Sequence, residues 1–427
     1  MTGDVECIRL PNGIRITTRR MPHVHSIAMG VWVDVGARDE AAADSGLSHM
    51  IEHMIFKGTE RRSAYQIAKA FDAIGGHTNA FTSLETTCYH AKVVDTHQEA
   101  MVDLLGDIFL HSTFSPEEIE RERTVILQEI RMVEDSPEEL VHTLAGPHLW
   151  GDHPLGRSIL GPPENLVALD QQRIQAFVHR NYRPERIVIA AAGNLSHDRI
   201  RELLAPTFGA LPPGETSVSP RQPPVAQAPI RVVERPLEQV HLLLAGPGLS
   251  VTDERRYAYS LLNSILGGNM SSRLFQAIRE QQGLAYSVYS FVSTFTDSGM
   301  IGVYAAVAPE NTRETLVRIV TELRRLADTP VGAQRLDDAK AFTKGSLLLA
   351  AESNENQMMR LAQNEIYLGR FIPMAEVTER IDAVSASEIQ DLAGVLLDPH
   401  RLSLTAVGPV PSGAVEAAGW RPDRSGR

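Results

Sequence analysis

ENLVALDQQRIQAFVHRNYRPERIVIAAAGNL, residues 164–195, aligns without a gap on ERIDAVSASEIQDLAGVLLDPHRLSLTAVGPV, residues 379–410. The offset is a constant 215, from Glu164 to Glu379. It pairs Ile174 with Ile389, Gln175 with Gln390, Pro184 with Pro399, Arg186 with Arg401, Ala191 with Ala406 and Gly193 with Gly408. Further upstream, CYHAKVVDTHQEAMVDLLGDIF and GVYAAVAPENTRETLVRIVTEL share a strand-then-amphipathic-helix pattern at nearly the same offset. The chain therefore reads as an internal duplication, two copies of one α+β unit. Between the copies lies LPPGETSVSPRQPPVAQAPI, residues 211–230, whose proline and small polar residues have the composition of a linker. The expected division is a first domain over 1–212, a linker over 213–229 and a second domain over 230–427.

Within a copy, residues 17–35 read as strands, 45–56 and 64–74 as helices, HTNAFTSLETTCYHAKVV as a strand pair, and 96–110 and 116–134 as helices. Asn12-Gly13 between alternating apolar runs reads as a hairpin turn. Strand runs beside helix pairs, without regular βαβ alternation, predict a largely antiparallel sheet with helices packed on one face of each domain.

Length and composition bound the function. A chain of 427 residues exceeds one ordinary core, and 43% hydrophobic with 22% charged residues is a globular composition. A net charge of −12 argues against a nucleic-acid partner and weakly favours a cationic peptide. Two cysteines, Cys7 and Cys88, are too few for a disulfide framework and read as free thiols. The first residues lack the apolar core of a signal peptide, and no run is long enough to cross a bilayer, so a cytoplasmic protein without a membrane partner is expected.

The chemistry is concentrated in GLSHMIEHMIFKG, residues 46–58. On a helix, positions i and i+4 share a face, so His49 and His53 present two imidazoles to one point. Glu52 sits at the border of that face, within reach of a metal-bound water. H-x-x-E-H is the zinc-protease motif in inverted order. Leu47, Met50, Ile51, Met54 and Ile55 make the helix apolar on most sides, and buried charge there demands a partner or a metal. A catalytic zinc wants three protein ligands and an open position. SPEEIERERTVILQEIRMVEDSPEE supplies Glu117, Glu118, Glu120, Glu122, Glu129 and Glu134. Periodicity leaves Glu122 and Glu129, seven apart and interleaved with apolar residues; spacing alone does not choose between them.

His49-x-x-Glu52-His53 followed by a glutamate inside ERTVILQEI, 76 positions after His53, resembles the M16 family of metallopeptidases, the pitrilysin and mitochondrial processing peptidase group with its two-domain bacterial-type M16B members. GARDE (36–40), FKGTERRS (56–63), GGHTNAFTS (75–83), HPLGRSILG (153–161) and REQQGLAYSVYS (279–290) fit the same family. The resemblance implies a zinc-dependent endopeptidase with His49, His53 and Glu129 as metal ligands, Glu52 as general base and Glu122 supporting the site. It implies that Arg279 and Tyr286 of the second half act in substrate binding and transition-state stabilisation. It also implies that Asn79, Ala80 and Phe81 form a strand edge that pairs with an extended peptide.

Carried forward by the repeat, the histidine-bearing helix falls in YSLLNSILGGN, which has neither histidine nor glutamate, and Glu129 falls near Lys344. One half alone can hold the metal, and the other is a degenerate copy. GGNMSSRLFQAIRE is not the glycine-rich loop of the family's noncatalytic processing subunit, so the chain reads as catalytic-type. Zinc so held would supply a bound water with a pKa of about 7, and Glu52 would take its proton and deliver it to the leaving amine. The family implies short or unfolded peptide substrates taken into an enclosed chamber. Glu138 and Glu139 either receive a basic residue flanking the cleaved bond or form the charged start of a helix after Ser136 and Pro137. A two-half chain implies pairing, as a homodimer or as a heterodimer with an inactive paralogue. The competing reading is a noncatalytic scaffold of the same fold, or a catalytic half inactive without its partner.

Overall fold

The computed structural model describes residues 5–214 and 220–418; residues 215–219 of the expected linker, like both chain ends of the expected domains, lie outside the described residues. Strands β1 (Val5–Arg9), β2 (Arg15–Arg20) and β3 (Ser26–Val33) lead to helices α1 (Leu47–Met54) and α2 (Ala64–Ala73). After β4 (His77–Thr82) and β5 (Thr87–Val94) come α3 (Gln98–His111), α4 (Pro116–Asp135), α5 (Pro137–Trp150), α6 (Pro163–Ala168) and α7 (Gln171–Asn181), then β6 (Ile187–Gly193) and α8 (His197–Phe208). The second copy repeats the order: β7 (Ile230–Val233), β8 (Val240–Gly248), α9 (Arg256–Leu266), β9 (Ala285–Thr294) and β10 (Gly299–Val307). It continues with α10 (Thr312–Asp328), α11 (Ala333–Ala350), α12 (Asn354–Gln363), α13 (Met374–Ala383), α14 (Ala386–Leu396), β11 (Ser403–Val407) and α15 (Ala414–Ala417). Among the described residues, no helix is long and apolar enough to cross a membrane.

The two sheets have one topology. The first runs β1-β2-β6-β3-β5-β4 and the second β7-β11-β8-β10-β9. In each, the strand after the repeat's last long helix pairs parallel with an early strand, β6 with β2 and β11 with β7, and antiparallel with the next, β3 or β8. The remaining ladders are antiparallel. The duplication is thus structural: α7 and α14 begin and end 215 positions apart, at Gln171 and Ala386 and at Asn181 and Leu396. Asn12-Gly13 lies in the β1–β2 hairpin, with Gly13 at φ +106°.

Gly193 and Gly408, paired by the sequence repeat, do the same work in each copy. Gly193 has φ +143°, and a Cβ there would lie 2.2 Å from the Ser26 carbonyl oxygen; Gly408 has φ +129°, and its Cβ would lie 2.4 Å from that of Gln239. Each lets the parallel strand close against its antiparallel neighbour. Gly193→Ala is expected to destabilise the protein by about 2–4 kcal/mol, from backbone strain and overpacking together. Urea unfolding measures it, and a midpoint equal to that of the wild type would refute this account.

The chain divides into two compact units: Met1–Ile130 with Ser158–Pro220 and Leu348–Pro373, and Arg131–Arg157 with Arg221–Leu347 and Met374–Arg427. These depart from the expected division at 212 and 230 in two places. The α5 segment joins the second unit, and the α12 segment joins the first. The physical reason lies in the sheets. β3 is buried at seven of its eight positions and β6 at all seven, so both faces of the first sheet need cover. One face packs on α1, α2, α3 and α8 through residues such as Met50, Ile67, Leu105 and Leu204. The other is closed by α12, whose Met358, Leu361 and Ala362 meet Trp32, Cys88, Val188, Ala190 and Ala192. Asn354 Nδ2 donates to Ser26 Oγ at 3.0 Å, tying the start of α12 to the strand edge. In the second unit, α5 packs on β8 and β11, with His142 Nε2 2.9 Å from the Tyr289 hydroxyl and His148 Nδ1 2.7 Å from Thr405 Oγ1. Helices on one face is therefore half of the arrangement; one further helix covers the second face of each sheet.

Candidate metal centre

The site is built on α1, and the chain upstream fixes that helix. Glu40, from the GARDE stretch, accepts the N–H of Gly46 at 2.8 Å and of Ser48 at 2.6 Å, so one buried carboxylate occupies the helix N-terminus. Arg38 of the same stretch pairs with Glu85 at 2.6 Å in the interior. Leu47, Met50, Ile51 and Met54 bury the inner face of α1, which leaves His49, Glu52 and His53 half-buried along its border.

Helical spacing does what the sequence requires of it. The rings of His49 and His53 have centroids 4.7 Å apart. From α4, Glu129 Oε2 lies 3.8 Å from His49 Nε2 and 3.6 Å from His53 Nε2. One ligand atom of each residue lies within 4.8 Å of the others, and this is the single such group among the described residues. These separations are too long for hydrogen bonds. They are close to the roughly 3.3–3.5 Å that separates two atoms bound about one zinc in tetrahedral geometry. Two imidazoles and a carboxylate are also a catalytic zinc donor set, so the residues fit the metal.

The surroundings prepare the donors. Burial, with neighbouring His53 adding to it, pushes the His49 imidazole down to about 4, so this ring is neutral at neutral pH and has no proton to lose on binding a metal. Glu122 Oε2 lies 3.0 Å from His53 Nδ1. That contact orients the ring and assigns the proton to Nδ1, leaving the Nε2 lone pair free. Glu122 thus faces Nδ1 of one ring while Glu129 faces the Nε2 atoms of both, a distinction that periodicity left open. His49 Nδ1 is buried without a hydrogen-bond partner among the described residues, so only one of the two rings is supported this way.

Burial raises the pKa of Glu52, partly offset by hydrogen bonds from Thr82 and by His53. A carboxylate made more basic at this position suits proton transfer near neutral pH. Thr82 was not singled out from the sequence. The signal was present, because the two-residue period of β4 puts Thr82 on the face of Ala80, which is buried against the helices, and not on that of Phe81.

Asn79, Ala80 and Phe81 lie on β4, the edge strand of the first sheet, and α1 packs beside that strand. The Ala80 N–H donates to Asn79 Oδ1 at 2.9 Å, and Phe81 turns to the other face, edge-on to Trp32 at 5.3 Å. Arg279 and Tyr286 belong to the second unit. Arg279 sits in a π-helical turn, Phe275–Glu280, with its guanidinium 4.8 Å from the Phe275 ring and 4.7 Å from that of Tyr286. Tyr286 is 78% exposed, so this stack is preorganised and open to solvent. Glu138 and Glu139 occupy the first turn of α5, after Ser136 as N-cap and Pro137 as first residue. Glu138 also accepts the Tyr289 hydroxyl at 2.8 Å. The helix-start reading of this pair describes its local structure.

In the second copy, α9 carries no histidine or glutamate, and Lys344, where the repeat would set Glu129, is paired with Asp382 at 2.6 Å. The donor set exists once among the described residues.

Residues 15–163 match the model of the insulinase family, peptidase family M16, and residues 168–342 that of the peptidase M16 inactive domain. The chain is 39% identical to a protein of Bacillus subtilis named an uncharacterized zinc protease, over 94% of this chain and 98% of that one. It is 39% identical to another so named from Streptomyces coelicolor, over 96% and 90% of the two chains. In fold it is similar to the crystal structure of a peptidase M16 inactive domain from Pseudomonas fluorescens, with TM-score 0.89 at 21% identity over 95% and 98% of the chains. A protease from Helicobacter pylori is equally similar, with TM-score 0.89 at 20% identity over 95% and 99%. The chain belongs to the insulinase family, peptidase family M16.

Proposed function

We propose that the protein is a zinc-dependent endopeptidase acting on short or unfolded peptides. One observation carries the reading: one ligand atom each of His49, His53 and Glu129 lies within 4.8 Å of the others, with Glu52 on the same helix as the two histidines. Zinc held by these three residues would supply a Lewis acid and an acidified water. Glu52 removes the proton from the attacking water and returns it to the leaving amine. Glu122 holds the His53 ring in the tautomer that presents Nε2.

The exposed edge of β4 at Asn79, Ala80 and Phe81 takes the peptide as an added strand, which reads backbone shape more than side-chain identity. Arg279 and Tyr286, held as a stack, bind substrate and stabilise charge on the scissile carbonyl. Glu138 and Glu139 are available to a basic side chain of the peptide. We further infer a cytoplasmic enzyme that pairs with a second copy or with a family paralogue, which light scattering of the assayed sample would decide.

The test is incubation with a mixture of unstructured peptides, with and without a zinc chelator, products being identified by mass spectrometry. Internal cleavage abolished by the chelator and restored by zinc is the expected result. No cleavage by protein that carries one zinc per chain would overturn the reading in favour of a noncatalytic subunit or one inactive without its partner.

A further inference from the structure

Lys57 belongs to the FKGTERRS stretch, and neither the metal ligands nor the base account for it. Its ammonium lies 2.6 Å from Glu122 Oε1, while the other oxygen of that carboxylate is 3.0 Å from His53 Nδ1. The Glu122 side chain is 8% exposed. A buried carboxylate divides its two oxygens between a cation and a ligand ring.

We propose that Lys57 is a positioning residue for the zinc site, acting on His53 through Glu122. The inference rests on the zinc-peptidase reading above. The charge argument is direct. A carboxylate removed from water needs compensation, and an imidazole N–H alone supplies it poorly. With Lys57 in place, Glu122 is balanced from one side and accepts the Nδ1 hydrogen from the other. His53 then keeps one orientation, with Nε2 turned toward Glu129 and His49. Without Lys57, the carboxylate is free to rotate toward water and release the ring.

The backbone around Lys57 is built to hold it there. α1 ends at Met54, and the Lys57 N–H donates to the Met54 carbonyl at 3.0 Å, so the chain leaves the helix in a tight turn. The next residues are anchored: Thr113 N–H donates to the Gly58 carbonyl at 3.1 Å, Thr59 N–H to that of Arg62 at 2.8 Å, and Thr59 Oγ1 to the fully buried carboxylate of Asp107 at 2.9 Å. Gly58, at φ +133°, makes the turn. The base of this lysine is therefore fixed on the scaffold, and only its tip reaches the site.

A purely structural ion pair and a positioning residue differ in what they change. Zinc affinity is to be measured by competition with a chromophoric chelator on the full chain, for the wild type, Lys57→Met, Lys57→Gln, Lys57→Arg, Glu122→Gln and the Lys57→Met/Glu122→Gln double variant. Both neutral substitutions are expected to weaken zinc by about tenfold or more, the range of an outer partner of a ligand. Lys57→Arg, which keeps the charge, is expected to recover most of that loss. The double variant should bind no more weakly than Glu122→Gln alone, because Lys57 acts through that carboxylate. Neutral variants with wild-type affinity, or a double variant showing the product of the two single losses, would overturn the proposal. A wild type that binds no zinc would overturn the functional reading itself, a result distinct from zinc bound equally by every Lys57 variant.

Discussion

Glu52→Gln is expected to leave zinc bound and to lower peptide hydrolysis by roughly 10²–10⁴-fold, the usual contribution of a general acid-base residue. Glutamine preserves the size and shape of glutamate but replaces one accepting oxygen by an NH2 donor and has no basic oxygen at neutral pH. His49, His53 and Glu129 are untouched, so metal content, read by elemental analysis, should remain that of the wild type. Thr82, at the end of β4, holds the Glu52 pKa down against the effect of burial, so the strand whose edge is assigned to the peptide also bears on this carboxyl. Loss of kcat with zinc retained would separate the proton carrier from the metal ligands. Turnover at the wild-type rate would remove Glu52 from the mechanism.

His53→Ala is expected to weaken zinc well beyond the about 10–100-fold that follows loss of an outer partner such as Glu122, and to abolish cleavage. It removes one of three donors and leaves Glu122 to Lys57 alone. Two donors, His49 and Glu129, remain 3.8 Å apart, too few to define a catalytic zinc geometry. Isothermal titration of the metal-free proteins measures the difference. If His53→Ala bound one zinc with unchanged affinity, the metal would lie elsewhere in the chain and the proposed centre would fall.

The motif and its helix were legible because they are local. His49, Glu52 and His53 fall within five residues, and helical geometry brings them together. The same spacing sets Lys57 four residues beyond His53, a signal that passes unnoticed because α1 has already ended at Met54 and the contact depends on the turn that follows. Glu129 and Glu122 were narrowed by periodicity to one face of α4. What distinguishes them is that Glu129 faces both Nε2 atoms while Glu122 faces Nδ1 of one ring, which is set by how α4 docks beside α1. Glu138 had two readings in the sequence, and its bond to Tyr289 depends on β9, about 150 positions away in the chain.

By itself, the sequence determined the duplicated α+β plan, the single helix that carries His49, Glu52 and His53 on neighbouring positions and the loss of these residues from the second copy, because gap-free repeats and i, i+4 spacing translate into geometry without reference to the rest of the chain. The sequence reading set helices on one face of each sheet, but β3 and β6 are buried almost throughout, so both faces of the first sheet need cover. The tertiary structure alone decided what covers them. α12, more than 300 residues beyond β3, closes the first sheet, and α5 closes the second. Burial of apolar area is indifferent to distance along the chain, so any helix with a matching face satisfies the requirement that the strands impose.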